Sequence, residues 1–471
     1  MLEPGQTGIH RDTPLGFPGP LRPHRGTPLG FPGPLRPIHR GTPLGFPGPL
    51  RPGFPQVDLP GMRRPRLPAA LPRRPLPLAG IVVAVLAVAL AAAGFAALRD
   101  GDGGRAGTPG RAVAGKPTSQ VRLSVSPRHR ATSVRLDARA KVVASDGTLR
   151  SVTVRAADGR RLAGRLAGDR RTWTSSGALA PATRYRVTVE AVDEAGTPAR
   201  RSTSFTTLRP RAELRAAVMP LEGETVGVGL PIGVWFNQPV ADRAAVERRL
   251  QVVSSEPVDG AWHWFTDSEV HYRPRSYWPS GAKVTLRARL AGTAAGDGVW
   301  GVADRTINFR IGDRHVSIVN AKTHRMKVVA NGKTLKVVPV STGRDKYPTT
   351  NGVHFVIEKT RDKLMDSSTI GIPRDSPGGY YQHVAWSVRI SNSGEFVHAA
   401  PWSTGSQGRA NVSHGCVNLS TANAAWFFRL TRRGDVVEVV GSPRRPGDSF
   451  GVADWNMSWS AWLRGSALQG G

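Results

Sequence analysis

The sequence predicts a mainly β chain: two sandwich-type units of short strands, then a β-rich unit carrying one packed helix. Three observations carry this. Apolar residues recur with period two, as in Val121-x-Leu123-x-Val125 and Tyr185-x-Val187-x-Val189, the pattern of half-buried strands. Turn pairs such as Asp146-Gly147, Asp158-Gly159 and Asn331-Gly332 break these runs at short intervals. Helical patterns beyond residue 120 are few, and the longest runs from Thr421 to Arg433.

Residues 1–77 are rich in Pro, Gly and Arg and hold three near-copies of H-R-x-T-P-L-G-F-P-G-P-L-R-P, starting at His10, His24 and His39. Prolines at this density forbid helix and central strand, so the segment is expected to be a disordered, polyproline-like cytoplasmic tail. Residues 78–98 carry no charge and at ~1.5 Å per residue would reach about 31 Å, enough to cross a bilayer. Eleven arginines and three acids precede them, which keeps the tail inside and sends the remainder outward. A single-pass anchor in the cytoplasmic membrane is therefore expected, with a cleaved signal peptide as the alternative if translation starts near Met62. Residues 99–119 read as a linker. Residues 120–210 and 211–312 read as two β-sandwiches of immunoglobulin type, the second interrupted by a short helix near Asp242 to Leu250. Neither shows a catalytic constellation, and His263, His271 and the neighbouring tryptophans read as packing residues.

Residues 313–441 form the β-rich unit. Its strands are expected near Val316–Ile318, Met326–Val329, Val337–Val340, His354–Glu358, Ala385–Ile390, Glu395–His398 and Asp435–Val440. Asn331-Gly332 makes a two-residue hairpin turn. Ala422, Ala425, Trp426 and Leu430 would line the buried face of the helix, with Gly434 ending it. In residues 442–471, Trp455, Trp459 and Trp462 stand at i, i+4 and i+7, one helical face expected to pack on the unit before it.

The chain carries 65 Lys+Arg against 34 Asp+Glu, a net charge of +31, which favours anionic partners. With the basic units outside the membrane, an acidic extracytoplasmic polymer is the expected partner and no nucleic acid is expected.

Cys416 is the only cysteine. Most free cysteines are small buried hydrophobes. An extracytoplasmic thiol without a disulfide partner, placed after Ser413-His414-Gly415 and outside any apolar run, reads instead as a nucleophile. Thiols need a base, and His398, at the end of an apolar strand, is the candidate. Gly415 and Cys416 offer main-chain N–H groups for an oxyanion.

From His398 to Asn418 the residues H-x14-S-H-G-C-x-N resemble the signature of the L,D-transpeptidases, the YkuD-like cysteine enzymes of bacterial cell walls. Met365-Asp366-Ser367-Ser368-Thr369, Gly371-Ile372-Pro373, Ser376-Pro377-x-Gly379-Tyr380 and Ala400-Pro401-Trp402 are similar to the actinobacterial members. The resemblance implies Cys416 as nucleophile, His398 as base and the Ala399 carbonyl as its orienting group. It leaves His414 a structural or substrate-shaping role. Tyr380 aligns with a lid over the acyl site, Met365 and Trp402 with pocket walls, and Ser413 and Asn418 with residues bonding the loop or the substrate. Gln382 stands where relatives often carry a hydroxyl residue. Two immunoglobulin-like spacers before the catalytic domain fit the same family.

The implied reaction is a ping-pong acyl transfer between peptidoglycan stem peptides. A tetrapeptide donor loses its terminal D-alanine to give a thioester, and the amine of a second stem resolves it into a 3→3 cross-link. No metal or organic cofactor is implied, and carbapenems are expected to acylate the same thiol. An L,D-carboxypeptidase or endopeptidase using the same residues, or a non-catalytic wall-binding protein, remain the other readings.

Overall fold

In the strand Arg184–Val192 every second residue from Tyr185 to Ala191 is buried, and this alternation is what makes the first unit a sandwich. The computed structural model describes residues 118–447 and 451–469. The expectations for the tail 1–77, the apolar segment 78–98 and nearly all of the linker 99–119 lie outside the described residues. Among the described residues no helix is long and apolar enough to cross a membrane.

The first unit pairs two four-stranded sheets around Val142, Leu149, Val154, Trp173, Val187 and Phe205. The second contains two further four-stranded sheets and a three-stranded one. Its short helix spans Arg243–Glu247 and is capped by the Asp242 carboxylate, which accepts from the Ala245 N–H at 2.9 Å. Capping of this kind is worth about 1 kcal/mol.

The third unit opposes a five-stranded and a four-stranded sheet. The first holds His315–Asn320, Arg325–Ala330, Lys333–Pro339, Gly352–Phe355 and Val436–Val440. The second holds Glu358–Asp366, Tyr381–Arg389, Phe396–Ala399 and Val417–Leu419. Val319, Val328, Val340, Val388, Val397, Val417, Phe427 and Val439 fill the space between them, at about 1.5–3 kcal/mol for each fully buried side chain. Asn331 and Gly332 take φ of 48° and 81° and pair Ala330 with Lys333 across the hairpin.

The helix is shorter than its sequence pattern implies, Thr421–Leu430, with Ser420 as N-cap. Its end is set by Thr431, whose Oγ1 donates to the Phe427 carbonyl at 2.9 Å, and by Lys359, whose Nζ donates to the Phe428 carbonyl at 2.7 Å. Gly434 is thus not the stop. The face turned to the core is Ala424 and Phe427, whereas the expected Ala422 is exposed. Phe428 packs edge-on against Trp386, so apolar residues occupy most of the helix circumference and periodicity alone misjudges its rotation.

The second sandwich and the third unit share one core, since Phe355 and Val436 belong to the cluster built on Val228, Leu230, Trp278 and Phe309. Backbone meets backbone there: the Gly227 N–H donates to the Arg433 carbonyl at 2.7 Å and the Gly229 N–H to Gly434 at 2.8 Å. A Cβ on Gly227 would fall 2.2 Å from the Asp435 nitrogen, so the approach requires glycine. The C-terminal residues pack on this second sandwich as well as on the unit before them. Their tryptophans sit on two short helices, Ala453–Asn456 and Trp459–Leu463, because Ser458 starts a new helix by accepting from Ala461. All three indoles nevertheless converge on Arg273 of the second sandwich, at 5.0, 5.3 and 4.5 Å from its guanidinium carbon. The indole of Trp455 donates to the Gly229 carbonyl and that of Trp462 to Ala261, while Asn456 bonds Val353 in the third unit.

Candidate active site

Two short parallel strands build the site. Phe396–Ala399 pairs with Val417–Leu419 in the register Val397↔Val417 and His398↔Asn418. The residues alternate, so Val397, Ala399, Val417 and Leu419 enter the main core. Phe396, His398, Cys416 and Asn418 take the opposite face. His398 and Cys416 are diagonal neighbours on that face, about 8 Å apart at their α-carbons from a ~4.8 Å strand spacing and a ~3.3 Å rise per residue.

His398 is 4% exposed and its Nδ1 lies 2.8 Å from the Ala399 carbonyl. A carbonyl only accepts, so Nδ1 carries the proton and Nε2 is the basic nitrogen. Burial pushes this imidazole down to about 4, against the pull of the Ala399 bond. Glu395 does not orient it. That carboxylate is 2% exposed and accepts from the Thr350 N–H at 2.7 Å and Ser391 Oγ at 2.9 Å, with Arg444 at 3.6 Å.

Cys416 is half-buried and packs with Met365, Val384, Phe396 and Tyr380. Burial raises its thiol to about 12; the Phe396 N–H opposes this and Glu395 adds to it. Its sulfur contacts the Gly394 carbonyl at 3.9 Å, so the described thiol contact runs back along the chain and not to His398. Burial thus favours the neutral form of both the thiol and the imidazole.

The turn before Cys416 is braced from within. Ser413 Oγ donates to the Cys416 carbonyl at 2.6 Å and accepts from the Gly415 N–H at 3.1 Å, while Thr349 Oγ1 donates to the Gly415 carbonyl at 2.8 Å. The Gly415 N–H is therefore already engaged, which corrects its expected availability as an oxyanion donor. Asn418 donates to Ser403 Oγ at 3.0 Å. The His414 Nε2 lies 2.6 Å from an Arg344 guanidinium nitrogen, and burial together with Arg344 lowers its affinity for a proton.

Tyr380 packs on the thiol, its carbonyl accepting from the Ser367 N–H and its N–H donating to Ser367 Oγ, each at 3.0 Å, and burial raises its hydroxyl to about 12. Met365 is buried in the same cluster. Trp402 is not an interior wall, being 56% exposed, but its ring lies 6.1 Å from that of His398 and covers its outer edge. Gln382 is exposed on the strand beside Met365, outside the thiol's packing cluster. Among the described residues no group of three His, Cys, Asp or Glu side chains is placed to hold a metal.

Three residues at the site were not legible in the sequence. Arg344, Tyr347 and Thr349 lie about seventy positions before the cysteine, in a loop with no periodicity, and in a chain with 65 basic residues one more arginine carries no signal.

The family model described as the L,D-transpeptidase catalytic domain matches residues 314–439, and that of a bacterial Ig domain matches residues 131–294. L,D-transpeptidase 2 of Mycobacterium tuberculosis (strain CDC 1551 / Oshkosh) is 38% identical over 371 residues, covering 77% of this chain and 90% of that protein. L,D-transpeptidase 5 of Mycobacterium tuberculosis (strain ATCC 25618 / H37Rv) is 36% identical over 363 residues, covering 75% and 78%. A solved L,D-transpeptidase in complex with imipenem is 38% identical, with a TM-score of 0.43, covering 49% of this chain and 100% of that one. A site of sulfur, imidazole and carbonyl on two parallel strands, inside a sequence that spans nearly all of such a relative, has one reading: this chain belongs to the L,D-transpeptidases.

Proposed function

We propose that this enzyme forms 3→3 cross-links in peptidoglycan through a thioester on Cys416. The carrying observation is the 2.8 Å bond from His398 Nδ1 to the Ala399 carbonyl, which leaves Nε2 as a base on the face that also bears the thiol. His398 Nε2 takes the thiol proton as sulfur attacks the carbonyl between the diamino residue and the terminal D-alanine. The C–N bond then breaks, the same proton passes to the departing amine, and the acyl group stays on sulfur. An amine of a second stem attacks the thioester, His398 removes its extra proton, and the thiol is restored. Oxyanion stabilisation falls to the Cys416 N–H, because Gly415 donates to Ser413. The apolar side chains of Met365, Tyr380 and Phe396 packed around Cys416 would favour the amine acceptor over hydrolysis.

The apolar segment 78–98 is proposed as a membrane anchor that holds the enzyme outside the cytoplasm, with both sandwiches as immunoglobulin-like spacers toward the wall. Carbapenems are proposed to acylate the same sulfur.

Incubating the full chain with disaccharide-tetrapeptide and resolving the products by mass tests the reading. Cross-linked dimer together with free D-alanine is expected, and Cys416→Ala should yield neither. Tripeptide without dimer would assign the enzyme to hydrolysis, and a dimer made equally well by Cys416→Ala would remove the thioester altogether.

A further inference from the structure

Among the described residues no carboxylate pairs with Arg344, whose guanidinium stands beside the site against His414. Three arginines of the surrounding elements face a carboxylate: Arg374 pairs with Asp366, Arg389 with Glu358 at 3.3 Å and Arg444 with Glu395 at 3.6 Å. The partners described for the Arg344 guanidinium are His414 Nε2 at 2.6 Å and the face of Tyr347 at 5.1 Å. A guanidinium has five N–H donors in a planar fork, so most of its capacity remains for a ligand. Its backbone is pinned, with its N–H donating to the Ser413 carbonyl at 3.0 Å and its carbonyl accepting from Tyr347 at 2.8 Å.

The position of this fork relative to the sulfur follows from side-chain contacts. His414 stands two residues before Cys416, and its ring lies 5.3 Å from that of Tyr380, which itself packs on Cys416. The cation is therefore two side chains from the thiol, along the rim of its pocket. The loop carrying Tyr380 comes down on it through Gly378, at φ 100°, where a Cβ would stand 3.0 Å from Arg344 Nη2 and 3.1 Å from His414 Nε2. Any larger residue would crowd the fork.

We propose that Arg344 binds the free α-carboxylate of the donor's C-terminal residue. The inference rests on the acyl-transfer reading above. In that reaction the bond that breaks lies one residue from a carboxylate, so a fixed cation at this distance sets which amide reaches the sulfur. Arg344 matches the carboxylate in charge and in its paired-donor geometry, while His414 accepts one N–H and holds the fork. Arg344 is thus a specificity determinant that selects a terminal bond over an internal one.

The test compares a tetrapeptide donor with its C-terminal amide on the full chain, reading acylation of Cys416 by intact mass and initial rate. Wild type is expected to prefer the acid by about 10- to 100-fold in kcat/KM, the size of one charge-assisted pair. Arg344→Gln should lose that preference through KM for the acid, with the acid donor slowed far more than the amide. Arg344→Lys should keep part of it. The proposal is overturned if wild type acylates acid and amide equally, if Arg344→Gln keeps the wild-type ratio, or if it loses both donors in parallel, which would mark a role in holding His414. A wild type that no donor acylates overturns the acyl-transfer reading and this subsite with it, whereas equal use of both donors overturns the subsite alone.

Discussion

Acidification of the enzyme separates two descriptions of its resting state. His398 is held neutral by burial, from the ordinary 6.5 down to about 4, a preference of about 3 kcal/mol at ~1.4 kcal/mol per unit. At pH 5 about nine-tenths of the imidazole is then still basic, against about one-thirtieth for an unperturbed histidine. The acylation rate of Cys416, followed with a carbapenem by loss of its absorbance, should hold from pH 8 to 5 and fall only toward pH 4. Stability carries the same signature. Between 6.5 and about 4 the unfolded chain binds a proton that folded His398 refuses. The contribution of this group is complete above pH 6.5 and is lost as pH falls toward 4. Urea unfolding at pH 7 and pH 5 should show that slope in wild type and a shallower one in His398→Gln. An acid limb centred near 6.5, as expected of an exposed imidazole or of a preformed thiolate–imidazolium pair, would refute the reasoning.

Other consequences concern the scaffold. Ser413→Ala strips one hydroxyl from two bonds at the Cys416 turn, and should cost about 1–3 kcal/mol in thermal or urea melts with a larger fall in kcat than in KM. Gly227→Val forces a side chain onto the Asp435 backbone; a loss of about 1–3 kcal/mol and separate melting of the second sandwich are expected by calorimetry. Trp462→Ala empties a fully buried site against Arg273 and should lower stability by about 3–5 kcal/mol in denaturant titrations. His271 behaves oppositely to His398. Burial alone would lower it, but Asp454 at 2.7 Å and Glu269 at 3.0 Å raise it to about 9. Its contribution is present below pH 6.5 and lost as pH rises through 9, a loss that Asp454→Asn should remove from the alkaline unfolding curve.

Much of the architecture was legible because burial on one side of a strand imposes a period of two. Tyr185 to Ala191 follows that pattern, and Asn331-Gly332 announces its own hairpin. The strand Glu358–Asp366 escaped notice because most of its residues face solvent; E-K-T-R-D-K-L-M-D holds no alternation to read. Helix rotation failed for the opposite reason, with apolar residues on nearly every side. At the site, His398 and Cys416 were recognisable through their motif, and the His398 Nδ1 lies 2.8 Å from the Ala399 carbonyl. Spacing could not reveal that the Gly415 N–H is spent on Ser413, nor that Arg344 arrives from a distant loop. Both depend on contacts between segments that no local pattern encodes.

The glycine-on-glycine seam between the second sandwich and the third unit defines where the polypeptide can be divided. Phe355 and Val436, interior residues of the joint core, would become surface if the chain were cut near Gly312, and Trp455 and Trp462 would lose the carbonyls they now bond. A piece that keeps these contacts thus begins near Ala212 and runs at least to Ala467, whose N–H donates to Glu247 at 2.8 Å. Evolutionary shuffling or protein engineering at this locus would have to move that entire block together.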